Sequence, residues 1–225
     1  MHPERCAMAA ELLLVPTDLE RRRLADDLAE STGRATSIEL CGFGPIAAAA
    51  RTAELIATRR PARVILAGIA GRLDARLEIG AAYRFDEVAC DGVGVGSDRA
   101  FVAAGEVGWP HWPGNETTEA LGDRISLAGP SAKPAEDAAG LLLTVCAASA
   151  NPEEVACRRD RFPEAVAEEM EGFGVAVACR LSGVPLVIVR GISNDAGDRD
   201  HARWRTAAAL EAAAATLAPL LAEGT

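Results

Sequence analysis

The order of segments predicts an α/β fold, with helices covering both faces of a largely parallel or mixed sheet. Three observations carry that expectation. Short apolar runs of strand length alternate with longer alanine-rich or charged segments from end to end. Most connections between them are short. The run 63–67 (RVILA) is apolar without alternation after its first residue, as a central strand covered on both faces requires. Taken in order, residues 11–16 (ELLLVP) read as a buried first strand that proline stops. Thr17 or Asp18 can cap a helix to about residue 32, and Gly33 ends it. Residues 36–41 read as a second strand. The turn 42–45 (GFGP) leads into an alanine-rich helix to residue 60, with Pro45 at its start. The central strand is expected to close in a glycine turn at 68–71 (GIAG). Further strands are expected at 81–90, 124–127 and 141–147, and helices at 152–161 and 171–182. Residues 185–189 (PLVIV) read as another buried strand and 204–221 as the last helix. No repeat or linker interrupts the pattern, so residues 1–225 are expected to form one domain. The least regular stretch, 91–133, reads equally as a functional loop or a surface insertion.

Composition narrows the function classes. The chain has 225 residues, 49% of them apolar and 4% aromatic, with a net charge of −10. It is long enough to bury a core and too apolar to be disordered. Its acidity disfavours phosphate backbones, so nucleic acid is not an expected partner. No segment is long and apolar enough for a bilayer, so no membrane association is expected. The first ten residues carry Glu4 and Arg5 and no signal-peptide core, so a cytoplasmic location is expected. Cys6, Cys41, Cys90, Cys146, Cys157 and Cys179 form no C-x-x-C pair and read as isolated buried thiols.

Several motifs have two readings. The run 92–96 (GVGVG) lacks both the last glycine and the following helix of a dinucleotide fingerprint. In the loop 193–201, Asp195, Asp198, Asp200 and His201 could suggest a metal, but their spacing also suits a solvated loop and a helix cap. No metal is expected. Gly68 and Gly71 mark either a tight turn or backbone approaching a ligand at the carboxyl end of a strand. Glu168, Glu169 and Glu171 crowd what reads as the start of an apolar helix. They are either favourable charge at a helix N-terminus or carboxylates poised to accept hydrogen bonds from hydroxyls, for which a sugar diol is a natural partner.

The string 161–172 (RFPEAVAEEMEG), followed by 184–194 (VPLVIVRGISN), resembles the nucleoside phosphorylase and nucleosidase superfamily. The turn 68–71, the stretch 77–80 (LEIG) and the first strand ending in Thr17-Asp18-Leu19-Glu20 match the same pattern. The resemblance covers nearly the whole chain except 91–141. It is strongest to the futalosine hydrolases and the methylthioadenosine/adenosylhomocysteine nucleosidases. It implies a three-layer αβα sandwich with a mixed central sheet, a small-molecule nucleoside substrate, no cofactor, and a homo-oligomer, dimer or larger.

The resemblance also implies roles. Glu20 would position and deprotonate the attacking water, with Arg190 near that water or a phosphate. Glu171 would hold the ribose hydroxyls, with Met170 packed on the sugar. Gly68, Ile69, Gly71 and Glu169 would line the substrate site. Asn194 would bind the departing base, and Ser193 would orient its loop. Two features favour the futalosine hydrolases: the form 170–174 (MEGFG), and Asn194, where adenine-specific relatives carry aspartate. A side-chain amide can donate to N7 and O6 of a 6-oxopurine, whereas an ionised carboxylate would repel O6. The stretch 108–112 (GWPHW) also resembles that subgroup. Ile69 stands where relatives often place serine, which favours water over phosphate.

The implied reaction is cleavage of futalosine to hypoxanthine and dehypoxanthine futalosine, a step of menaquinone biosynthesis. Methylthioadenosine/adenosylhomocysteine nucleosidase and purine nucleoside phosphorylase are the alternatives. A non-catalytic nucleoside-binding module would have no need of Glu20. For the aromatic, anionic 5′ side of futalosine, Trp109, Trp112, Phe101 and Phe43 are candidate walls and Arg84 or Arg99 the candidate cation. The base face is expected from 144–151, which holds no aromatic residue.

Overall fold

Successive residues of the first strand face opposite layers. In β1 (Leu12–Val15), Leu12 and Leu14 pack into one apolar cluster and Leu13 and Val15 into another. Alternation across a strand makes this unavoidable, and a run apolar at every position therefore demands helices on both sides. The computed structural model describes residues 11–32, 36–128 and 138–222. After β1 come α1 (Asp18–Thr32), β2 (Ile38–Leu40), α2 (Pro45–Arg59), β3 (Val64–Arg72), β4 (Ala82–Phe85) and β5 (Glu87–Asp91). A short ribbon, β6 (Gly94–Val95) and β7 (Val102–Ala103), precedes β8 (Arg124–Ser126) and β9 (Leu141–Val145). The rest is α3 (Pro152–Arg161), β10 (Ala165–Glu169), α4 (Gly172–Ser182), β11 (Leu186–Asp195) and α5 (Thr206–Ala222).

Apart from the ribbon, these strands form one mixed sheet. β2, β1, β3 and β11 run parallel, and β4 closes that edge antiparallel to β11. β10, β9 and β5 are parallel to one another, with β8 antiparallel at the far edge. Ala48, Leu55 and Ile56 of α2 and Phe173, Val175 and Ala176 of α4 cover one face. Leu24 and Leu28 of α1 and Leu210, Ala213 and Leu217 of α5 cover the other. This is the expected αβα sandwich. Among the described residues, no helix is long and apolar enough to cross a membrane.

Four local expectations need correction. Residues 68–71 are not a turn. β11 pairs with β3 in register from Val64 to Ala70, and this support carries the strand through its glycines to Arg72. The strand expected at 81–90 divides at Asp86, because its first half pairs with β11 and its second with β9. Glu168 and Glu169 do not begin a helix. They end β10, which the carboxylates disguised in the sequence, and α4 begins only at Gly172. β11 continues past Val189 to Asp195. Cys41, Cys90 and Cys179 are buried, and burial pushes each thiol up to about 12. Cys146 is exposed and Cys157 only half-buried, contrary to expectation. Gly33, Cys6 and residues 129–137 lie outside the described residues.

The topology leaves a fork beside β3. β11 follows one of its edges throughout. On the opposite edge, β1 pairs with Val64 to Leu66 and β10 with only Gly71 and Arg72. The intervening backbone must be satisfied by side chains, and the candidate site forms there.

Candidate active site

The sequence Thr17-Asp18-Leu19-Glu20 folds as a capping box at the start of α1. The Glu20 amide donates to Thr17 Oγ1 at 3.3 Å, and Thr17 N–H donates back to Glu20 Oε2 at 3.0 Å. The Thr17 hydroxyl also donates to Oε2, at 2.5 Å. The cap turns Glu20 into the fork, where its Oε1 accepts the Ile69 amide at 3.1 Å. Glu20 thus has a structural role at the helix end and a second oxygen aimed at the open edge of β3. The sequence signature of the capping box is the spacing of Thr17 and Glu20, a capping threonine followed three residues later by glutamate.

Arg190 reaches the same gap from the other side. It is paired in register with Gly68, and its fully buried side chain lies across that glycine. Nη1 donates to the Ala67 carbonyl at 3.4 Å. Nη2 donates to Glu169 Oε2 and, at 3.3 Å, to Glu171 Oε2. A Cβ at Gly68 would lie 2.3 Å from Arg190 Nη1 and 2.7 Å from Glu20 Oε1. Gly68 is therefore required by close approach. We expect Gly68→Ala to displace one of these side chains and to cost about 10²-fold in kcat, the scale of an ångström misplacement. Steady-state kinetics on the purified variant check this, with circular dichroism as the control for folding.

Glu169 fills its hydrogen-bonding capacity internally. Its carboxylate accepts the amides of Glu171 at 2.9 Å and Gly172 at 2.8 Å, along with the Thr144 hydroxyl and Arg190. Thr144 Oγ1 in turn accepts the Phe173 amide at 2.8 Å. These bonds satisfy the first orphan N–H groups of α4 and fix the turn that presents Met170 and Glu171. Glu171 Oε1 accepts the Gly44 amide at 3.0 Å. That bond depends on α2 and α4 meeting closely, and a Cβ at Gly174 would sit 2.2 Å from the Pro45 carbonyl oxygen. The glycines of MEGFG are thus explained by packing. Burial, and then the neighbouring Glu169 charge, push the Glu171 carboxyl up to about 7, against the pull of Arg190 and the Gly44 amide.

At the end of β11 the register shifts between Ile192 and Asn194, leaving Ser193 as an extra residue. The Ser193 hydroxyl donates to Asn194 Oδ1 at 2.7 Å. Asn194 Nδ2 donates to the Asp195 carbonyl at 2.7 Å. A second, much longer contact runs from Nδ2 to the Asp198 carbonyl at 3.5 Å, so the two N–H groups of the amide are unequally held.

Glu20, Ile69, Gly71, Glu169, Met170, Glu171, Ser193 and Asn194 all border one cavity of about 460 Å³. Arg190 and Gly68 lie directly behind it. The fold thus brings together residues separated by up to 174 positions, from Glu20 to Asn194. Val145 and Ala148 supply the wall at the expected base face. A second cavity of similar volume, bordered by Leu121, Ile125 and Cys179, contains none of these groups.

The expected aromatic wall needs correction. Phe43 borders the cavity, but Phe101, Trp109 and Trp112 do not. Trp109 is 71% exposed, Trp112 bridges to Leu121, and Phe101 lies beneath Arg161. Arg84 pairs within the β4 edge and Arg99 reaches Asp160, so neither candidate cation is at the cavity. Trp204, Arg199 and His201 border it instead. The aspartates of the 193–201 loop are engaged with arginines, Asp195 with Arg72 at 2.7 Å and Asp198 with Arg203 at 2.8 Å.

The profile of the phosphorylase superfamily matches residues 28–223. The chain belongs to that superfamily. Among superfamily relatives, the futalosine hydrolase of Streptomyces coelicolor is 34% identical over 191 residues, covering 80% of this chain and 77% of that protein. The 5′-methylthioadenosine/S-adenosylhomocysteine nucleosidase of Geobacillus thermodenitrificans is 32% identical, covering 87% and 84%. These relatives place the chain among the nucleoside N-glycosidases. The superfamily fold is also seen in the Neisseria meningitidis nucleosidase bound to methylthio-immucillin-A, with a TM-score of 0.70 at 23% identity over 95% of this chain and 99% of that one. The Helicobacter pylori nucleosidase gives a TM-score of 0.72 at 18% identity, over 96% and 99%.

Proposed function

We propose that this chain hydrolyses futalosine to hypoxanthine and dehypoxanthine futalosine. The observation that carries this reading is the neutral amide of Asn194 at the cavity. Ser193 and the Asp195 carbonyl hold it, and its remaining contact, to the Asp198 carbonyl at 3.5 Å, is long enough to give way to a better acceptor on a bound base. A 6-oxopurine offers acceptors at N7 and O6, and a donor at that point stabilises the charge that builds on the departing base.

In this reading Glu20 takes a proton from water with the lone pairs left free by the capping box and the Ile69 amide. Water attacks the anomeric carbon as the N-ribosidic bond breaks through an oxocarbenium-like state. Glu171 accepts hydrogen bonds from the ribose hydroxyls, and its charge, with that of Glu20, favours the cationic sugar. Met170 packs on the sugar. Arg190 and Glu169 hold Glu171 in place. Phosphate is disfavoured as the nucleophile because Ile69 is apolar and Arg190 is already committed to two carboxylates. Leu19 and Phe43 are exposed at the cavity mouth, which supports a homo-oligomer whose second copy covers it.

The second reading is a 5′-methylthioadenosine/S-adenosylhomocysteine nucleosidase, favoured by the relative at 32% identity. Release of hypoxanthine from futalosine, compared with release of adenine from methylthioadenosine, separates the two. We expect kcat/KM to favour futalosine by about 10²-fold or more, because a mispaired base edge leaves polar groups unsatisfied. We also expect turnover to proceed without phosphate. A preference for the adenine nucleoside would overturn the Asn194 argument.

A further inference from the structure

We propose that Arg199 is a specificity residue that binds an anionic group on the 5′ side of the substrate, across the face of Trp204. The proposal deepens the reading of the site as a nucleoside hydrolase.

Among the described residues bordering the cavity, Arg199 is the only lysine or arginine. The aspartates of its loop are taken by other arginines. Arg203 pairs with Asp198 at 2.8 Å and with Asp200 at 3.3 Å, and Arg72 takes Asp195. Among the described residues, no carboxylate pairs with Arg199. Its guanidinium instead lies 5.3 Å from the centroid of the Trp204 ring. Trp204 is itself fixed, with Nε1 donating to the Asp198 carbonyl at 3.0 Å and the His201 ring 4.3 Å away. An exposed arginine held over an aromatic ring at a cavity, with its planar fork free, suits a carboxylate attached to a flat group.

The course of the loop gives the direction. Near Gly197 it approaches Asn151, on the side of Ala148 and the base. It then returns through Arg199 and Trp204 to Thr206, which shares a surface groove with Leu19 of α1. With the base at Asn194 and the ribose at Glu171, the 5′ substituent points toward that Leu19 and Trp204 end. Charge makes the cation necessary. Glu20, Glu168, Glu169 and Glu171 border the cavity, so an anionic tail entering it needs a local counter-charge, whereas an alkylthio tail needs none. The adjoining groove offers Arg22 and Arg23, but Asp18 and Asp26 lie in it too, and Asp18 pairs with Arg22 at 2.5 Å.

The test varies tail charge and base separately. The probes are 5′-deoxy-5′-(3-carboxyphenylthio)inosine, its methyl ester, and the matching adenosine pair. Kinetics are measured for the wild type, Arg199→Ala, Arg199→Lys and Arg23→Ala. On whichever purine series the wild type cleaves, we expect the acid-over-ester preference in kcat/KM to fall about 10- to 100-fold in Arg199→Ala, carried by KM. Arg199→Lys should recover part of it, and Arg23→Ala should leave it within about threefold, as expected of a screened surface charge. An equal loss on acid and ester, no loss, or a loss with Arg23→Ala alone would overturn the proposal. Base preference is read independently in the same experiment. An adenine preference would defeat the futalosine reading and still leave the Arg199 result decisive.

Discussion

Glu20→Gln should lower kcat by about 10³-fold or more while hypoxanthine still binds within a few-fold of the wild-type affinity. The substitution is informative because the two jobs of this side chain separate. A capping box accepts glutamine as well as glutamate, so the amide oxygen can still hold the Thr17 or Ile69 N–H and α1 keeps its start. What glutamine cannot do is take a proton from water. Circular dichroism and the melting temperature should therefore change little. Single-turnover release of base measures the loss, and isothermal calorimetry with hypoxanthine measures the binding. Turnover within tenfold of wild type would mean that another group activates the nucleophile.

Glu171→Gln has the second largest expected effect, and it acts in opposite directions on activity and stability. In the proposed mechanism Glu171 is the charged acceptor for the ribose hydroxyls, so its loss should lower kcat/KM by about 10²-fold. The carboxyl titrates near 7 in the folded protein against an ordinary value of 4.5, because it is buried beside Glu169. Between those values the native state holds a proton that the unfolded chain has released. The contribution of Glu171 to stability is therefore full below about pH 4.5 and is lost as pH rises through about 7, a change of roughly 3 kcal/mol. The glutamine variant carries no such proton. Its unfolding free energy, measured in urea from pH 5 to 8, should fall less steeply than that of the wild type. The acid limb of wild-type kcat/KM between pH 6 and 8 should also flatten. Parallel stability curves for the two proteins would show that Glu171 ionises normally.

The legible and illegible parts of this chain differ for physical reasons. The strand Leu12–Val15 was read correctly because an unbroken apolar run has one explanation once helices flank it. β10 was missed because its last residues are Glu168 and Glu169, and two adjacent carboxylates in a strand contradict every local preference. Only tertiary partners make them tolerable. Glu168 is held by Ser149 and by Arg158 at 2.7 Å, and Glu169 by Thr144, Arg190 and the start of α4. Likewise, a glycine turn was the cheapest local reading of Gly68 to Gly71, and pairing with β11 overrode it. Trp109 and Trp112, close together in the chain, are not at the cavity, because Trp109 faces solvent and Trp112 bridges to Leu121. Among the described residues, Phe43 is joined at the cavity by Trp204, which sits ten residues beyond Asn194 and reads in the sequence only as a helix start.

By itself, the sequence determined the layered α/β architecture, and its family resemblance pointed to the carboxylates and the amide that meet at the cavity, though not to Arg199, His201 or Trp204. Periodicity dictates which faces must be buried, and the motifs around Glu20, Met170 and Arg190 specify their own local geometry. The tertiary structure decided how those groups divide their work. Glu20 becomes available at the fork because β1 and β10 leave the edge of β3 open between them. Glu169 turns inward as an anchor while Glu171 reaches the cavity, since α4 starts between Glu169 and Phe173 and its free N–H groups claim the nearer carboxylate. Arg199 stands apart for the same kind of reason: the fold gave the neighbouring aspartates to Arg72 and Arg203 and left its guanidinium over the Trp204 ring at the border of the cavity.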